Sequence, residues 1–167
     1  MRSQQQLFAR YLQDLPAGEL SWIGLRPTRR EPLIEVEEVM ALAGLGLEGD
    51  HRCRKSPGSA RQISLISNEH IGLIAHYLKL EKIHPGQLRR NLVVRNINLT
   101  ALRHQRFRIG EALFEATALC HPCSRMSEAL GPGAVAAMLG QGGLCARVLE
   151  SGRIRLHDPV QLVLPEV

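Results

Sequence analysis

The chain of 167 residues is 44% hydrophobic but only 4% aromatic, which predicts one domain with a core filled by aliphatic side chains. Its net charge of +5 comes from 21 Lys and Arg, mostly arginine, with no dense basic tract, which argues against nucleic acid and for a phosphorylated small molecule as partner. Four cysteines do not make a disulfide scaffold at this length, and no signal-like start or run of about 18 apolar residues occurs, so the expectation is a cytoplasmic protein with reduced thiols and no membrane partner.

Leu7, Phe8, Tyr11, Leu12 and Leu15 fall at helical spacing and predict a helix over 4–15, closed by Pro16-Ala17-Gly18. Extended segments follow at Trp22–Arg26 and Leu33–Met40. Gly44 to Asp50 is a glycine-rich turn whose spacing fits neither a dinucleotide fingerprint nor a phosphate loop. It presents Asp50, His51, Arg52 and Lys55 on a basic loop that runs through Pro57-Gly58-Ser59. Gln62–Ile66 reads as a strand. Ser67 then caps a helix over 68–80, with Ile71, Ile74, Tyr77 and Leu78 facing inward. Asn91–Arg95, Arg106–Ile109, Ala112–Thr117, Cys145–Leu149, Ile154–Leu156 and Val160–Leu164 complete a set of about nine short strands. With so little strand–helix–strand alternation, the expected class is mainly β, a largely antiparallel barrel or sandwich with a few peripheral helices.

The densest chemistry lies in Cys120-His121-Pro122-Cys123-Ser124-Arg125, where a strand hands over to a helix capped by Ser124. A helix N-terminus with Arg125 and His121 beside it favours a thiolate at Cys123. An ordinary thiol with a pKa of about 8.5 is ~3% ionised at pH 7, whereas one lowered to about 6 is ~90% ionised. Three readings compete for the Cys-x-x-Cys spacing: a zinc site completed by Cys53, Cys145 and His51, a thioredoxin-like dithiol, and a single low-pKa thiol that binds a metal or carries sulfur. Cys145 itself reads as an inert buried cysteine. In Arg89-Arg90-Asn91, at most one arginine can face inward, and a buried Asn91 needs hydrogen-bond partners.

Taken in order, several fragments resemble one family: Gly46-Leu47-Glu48-Gly49-Asp50, Arg61-Gln62-Ile63-Ser64-Leu65-Ile66, Arg89 to Val94, Asn96 to Leu99, Phe107 to Ala112, Pro122-Cys123, Gly142 to Val148 and Gly152 to Val160. Together they resemble the MOSC domain, in its stand-alone bacterial, YiiM-like branch, over about residues 20–163, with 1–19 as a helical extension. The resemblance implies a MOSC-type β-barrel and a molybdenum cofactor (molybdopterin). It makes Cys123 the catalytic thiol and molybdenum ligand, with Arg61, Arg90, Asn91 and Arg147 gripping the pterin and its phosphate, joined by Lys55 and His121. The arginines at 61, 90 and 147 are then expected to converge on Cys123 in one concave pocket. The activity implied is reduction of N-hydroxylated small molecules, with electrons from a partner protein, since no flavin, haem or iron–sulfur motif is present. The alternatives are a sulfur carrier or transferase with a Cys123 persulfide, and a non-catalytic module that stores or delivers the cofactor. Two residues depart from the family pattern: His157 replaces a glycine before Asp158, and Cys120 adds a second thiol able to close a disulfide with Cys123.

Overall fold

The computed structural model describes residues 4–165, with side chains from Leu7 onward. A helix, α1 (Gln4–Leu12), leads into eleven strands and three further α-helices among the described residues. The strands are β1 (Gly18–Leu25), β2 (Ile34–Val36), β3 (Glu38–Leu42), β4 (Gly46–Leu47), β5 (Ile63–Ser67), β6 (Leu92–Arg95), β7 (Arg106–Ile109), β8 (Ala112–Leu119), β9 (Leu144–Glu150), β10 (Gly152–Arg155) and β11 (Pro159–Val163). The helices are α2 (Asn68–Tyr77), α3 (Ser124–Leu130) and α4 (Ala134–Met138), with 3-10 turns at His51–Arg54, Pro85–Leu88 and Leu99–Leu102.

Seven strands close a barrel in the order β11-β7-β8-β9-β5-β6-β1, and β1 returns to β11 through Gly18↔Val160 and Glu19↔Pro159. All these ladders are antiparallel except β5–β6, which is parallel and bridged by α2. The chain thus holds one β-α-β unit within the largely antiparallel barrel that the short strands suggest. β10, β3 and β4 form a separate small sheet, and β2 pairs with β1.

Two hydrophobic cores meet at the barrel wall. The interior holds Leu20, Ile23, Ile63, Leu65, Leu92, Val94, Phe107, Phe114, Leu144, Ala146 and Val148, with Phe107 stacked on Phe114 at 5.4 Å. On the outside, Trp22, Ile66 and Val93 pack under Ile71, Ile74, Met126, Ala134 and Met138 of the helices. Strands covered on both faces read as continuous apolar runs, and this explains the unbroken Leu92-Val93-Val94. A bulge between Leu20 and Trp22 lets β1 serve both cores.

Several boundaries differ from those expected from the sequence. β1 begins at Gly18 rather than at Trp22, because its first two residues close the barrel. The extended segment 33–40 breaks at Glu37, where the chain leaves β1 for the small sheet and the Glu37 carbonyl accepts the Leu156 amide (2.9 Å). α2 ends at Tyr77 in a paired turn, Lys79 N to His76 O and Leu80 N to Ala75 O, with Lys79 left-handed at φ 57°. That ending leaves Tyr77 56% exposed instead of buried. At α3 the cap is Cys123, extended at φ −127°, and Ser124 is the first helical residue. The Cys123 carbonyl accepts the first bond of the helix, from Met126 N (2.9 Å).

Candidate functional site

Asp50, 4% exposed, is the knot that shapes the loop after β4. Its Oδ1 accepts from Arg52 N (3.0 Å), and its Oδ2 accepts from Arg26 N (3.0 Å) and Asn91 Nδ2 (2.9 Å). Asn91 is buried with its amide fully used: Nδ2 also donates to Gly24 O (3.1 Å), and Oδ1 accepts from Ser64 N (3.2 Å). The partners that a buried Asn91 requires are therefore supplied by the frame itself. His51 donates from Nδ1 to Arg26 O (3.2 Å), and burial holds its pKa below the ordinary imidazole value. These bonds tie the end of β1 to the 3-10 turn and hold the Arg26 and Arg52 amides on one carboxylate.

Arg90 is 6% exposed and donates to three carbonyls: Nε to Gly142 (2.9 Å), Nη1 to Leu88 (2.9 Å) and Nη2 to Cys120 (3.4 Å). Among the described residues no carboxylate forms an ion pair with it. Its charge bears instead on Cys120, which lies just past β8 and donates its amide to Gly143 O (2.8 Å). The neighbouring Cys145 thiol, with Arg90, Arg52 and Arg61 behind it, lowers the Cys120 pKa to about 6 against the opposing effect of burial. Cys145 keeps the proton of the pair, its pKa raised by the neighbouring Cys120 and by burial. Gly142 and Gly143 make this packing possible. A Cβ on Gly142 would collide with the Cys120 carbonyl, and one on Gly143 (φ 90°) with the Leu65 carbonyl.

Beside this frame sits a cluster of cations. Arg26, at the end of β1, lies within electrostatic reach of Arg89, Arg52 and Arg125, and burial and these neighbours lower its pKa despite Asp50. Arg89 adopts φ 59° after the 3-10 turn, so it points away from its neighbour Arg90, and its carbonyl accepts from Arg26 Nη2 (3.3 Å). Arg26 Nε and Arg89 Nη2 are buried without a hydrogen-bond partner. Arg125 belongs to the first turn of α3, two residues after the exposed Cys123.

Of the residues singled out in the sequence, Arg61 and Arg90 come together at Cys120. Arg147 sits on the outer wall of β9, 3.4 Å from Glu115 Oε1. Lys55 is exposed and closes the 3-10 turn, and His121 is exposed between the two thiols of its segment. Cys53 donates to the Leu47 carbonyl, and burial raises its pKa to about 11. Among the described residues no three His, Cys, Asp or Glu side chains gather into a metal cage, so the zinc reading built on Cys53, Cys145 and His51 has no support in the fold. Sequence reasoning missed Arg26, Arg89 and Arg125 as partners of one site, and it missed the Cys120–Cys145 pair.

Fold and site together define a closed β-barrel protein with an exposed cysteine capping α3 and an arginine cluster that includes Arg125 of the same helix. The family model of the MOSC domain matches residues 51–161, more than half of the chain, and the protein belongs to the MOSC domain family. Among solved structures it is similar to the YuaD protein from Bacillus subtilis (21% identity, TM-score 0.78), over 90% of this chain and 98% of that one. It is also similar to YiiM from Escherichia coli (22%, TM-score 0.69; 91% and 71%) and YiiM from Geobacillus stearothermophilus (17%, TM-score 0.68; 87% and 75%). At these identities the likeness is one of fold. No curated protein matches the chain.

Proposed function

We propose that this protein binds the molybdenum cofactor and reduces N-hydroxylated small molecules with electrons from a separate donor protein. The observation that carries the reading is the meeting of Arg26, Arg52, Arg89 and Arg125, the last of these two residues after the exposed Cys123, with buried, unpartnered N–H groups on Arg26 and Arg89. Guanidiniums gathered in this way repel one another, and each buried unmade hydrogen bond costs about 1–3 kcal/mol. A phosphate supplies both the missing charge and the missing acceptors. The cofactor has such a phosphate on its pterin, so the residues present fit the group.

In this reading Cys123 is the soft thiolate ligand, and its exposure leaves it open to an incoming metal. Arg26 and Arg89 hold the phosphate, with Arg52 and Arg125 around it. Arg61, Lys55 and His121 line the approach, and Arg147 joins them only by leaving Glu115. Arg90 and Asn91 act through the frame, one by fixing the Cys120 and Gly142 carbonyls, the other by fixing Asp50. The cofactor, when bound, supplies the redox chemistry; the chain supplies one ligand, orientation and charge.

The test is elemental analysis of protein purified from a host that makes the cofactor. Molybdenum is expected in the wild type and in Cys120→Ser, and lost in Cys123→Ser, where a hard hydroxyl replaces the soft sulfur. Turnover of an N-hydroxylated compound with a reduced donor then completes the reading. Sulfane sulfur on Cys123 without molybdenum would replace it with a sulfur carrier, and molybdenum without turnover would leave a storage or delivery module.

A further inference from the structure

The thiols of Cys120 and Cys145 have no part in the cofactor reading, yet the fold makes the two residues neighbours across adjoining strands. They are joined by the β8–β9 ladder, in which Ala118 faces Cys145 and Leu119 faces Leu144. Cys120 is the next residue, beyond the last rung, and its amide is tied there to Gly143 O. Cys120, two residues beyond Ala118, therefore shares one face of the sheet with Cys145 as its diagonal neighbour. The pair sits against Arg90, a buried cation that donates to carbonyls, and within reach of Arg52 and Arg61.

We propose that Cys120 and Cys145 are a second thiol centre, which reacts with hydroperoxides and closes into a disulfide. Cys120 is half-buried and holds the negative charge of the pair, while Cys145 is 5% exposed and holds the proton. The Cys120 thiolate attacks one peroxide oxygen, the O–O bond breaks, and the sulfur becomes a sulfenic acid as hydroxide leaves. The Cys145 sulfur then attacks that sulfenic sulfur, forming the S–S bond and expelling hydroxide; the Cys145 proton and one proton taken up from solvent turn the two hydroxides into water. Two thiols are oxidised by two electrons in total, and the peroxide is reduced to two molecules of water. Diagonal neighbours on a ladder lie somewhat wide for a disulfide. Cys120 lies past the end of β8, held by its amide on Gly143 and its carbonyl on Arg90, so closing that gap takes a shift of this short segment and not of the barrel.

This differs from a disulfide between Cys120 and Cys123, which the spacing in sequence favours. Cys123 has its backbone committed to the cap of α3, and its side chain makes no bond there. The inference stands independently of cofactor binding and is tested on the full chain without it. Reduced protein is treated with hydrogen peroxide, its remaining thiols are alkylated, and the tryptic peptides are sequenced by mass spectrometry. Cys120 and Cys123 share one tryptic peptide, ending at Arg125, and fragmentation before Pro122 tells them apart. The expected product links Cys120 to Cys145 and leaves Cys123 alkylated, in the wild type and in Cys123→Ser alike. In Cys145→Ser, Cys120 stops at a sulfenic acid captured by dimedone, and in Cys120→Ser both products vanish. Circular dichroism of each variant checks that it is folded. A Cys120–Cys123 link, sulfenic acid on Cys123 in place of Cys120, or full resistance of the folded wild type to peroxide would overturn the proposal.

Discussion

Single residues in this protein do work that their neighbours make possible. Asp50 shows it most clearly: a carboxylate buried to 4% exposure with three N–H donors around it. Asp50→Ala leaves the Arg26 and Arg52 amides and the Asn91 side chain without an acceptor, and is expected to cost about 3 kcal/mol in urea unfolding. Cys120 gives a prediction in pH. In the folded chain its thiol titrates near pH 6, lowered first by the neighbouring Cys145 thiol and then by Arg90, Arg52 and Arg61. In the unfolded chain it keeps its proton to about 8.5. Between those values the unfolded state binds more protons, so stability rises with pH, and this contribution is lost as pH falls through about 6. Cys145 has its pKa raised, so above about 8.5 it turns the trend around, since the folded chain then holds the extra proton. Urea midpoints measured from pH 5.5 to 9.5, a range of roughly four units around these values, are expected to pass through a maximum that Cys120→Ser lacks.

At the scale of elements, the Cys120 segment is tied to the start of β9 by its amide on Gly143 O and by Arg90 on the Cys120 and Gly142 carbonyls. Gly142→Ala drives a methyl group into the Cys120 carbonyl, which also accepts from Arg90 Nη2. The expected result is a folded barrel, about 1–3 kcal/mol less stable, in which Cys120 is alkylated faster than in the wild type. Arg90→Met keeps the volume but frees the Leu88, Cys120 and Gly142 carbonyls, and should loosen the same join. Much of the barrel was legible from alternation, because β7, β8 and β9 each present one face to the interior. The elements β5, α2 and β6 were legible too, but not the parallel pairing of β5 with β6, since strands covered on both faces have no alternation that orients them. α4 is five residues long and carries no side-chain cap, so nothing local announced it. Cys123 was legible from its Pro-Cys dipeptide and the fragments around it. The arginine cluster was not, because Arg26, Arg52, Arg89 and Arg125 come from four separate segments that only the closed barrel brings together. The left-handed backbone at Arg89 is what sends two adjacent arginines to different places. The Cys120–Cys145 pair likewise depends on the register of β8 on β9, which sequence spacing does not reveal.

For the whole molecule, the clustered guanidiniums predict that an anion stabilises the fold. Inorganic phosphate at about 100 times its dissociation constant would add about 2.7 kcal/mol, read as a rise in melting temperature. That rise should shrink with added sodium chloride and largely disappear in Arg26→Ala and Arg89→Ala. No helix among the described residues is long and apolar enough to cross a membrane. α1 leaves Leu7, Phe8 and Tyr11 more than half exposed, whereas Leu15 packs against the barrel interior. A chain shortened to begin at Asp14 is therefore expected to melt within about 1 kcal/mol of the full chain, as surface changes do.

The seam between β1 and β11 has a consequence for how the molecule comes into being. Gly18 and Glu19 must find Val160 and Pro159, so the ring is shut by strands from opposite ends of the barrel sequence. During synthesis the first strand emerges early and keeps an open edge until the last one leaves the ribosome. Such long-range closure belongs to chains that fold in milliseconds to seconds rather than microseconds. A nascent chain stalled before Pro159 is expected to remain protease-sensitive, and release of the last few residues should convert it abruptly to a resistant form.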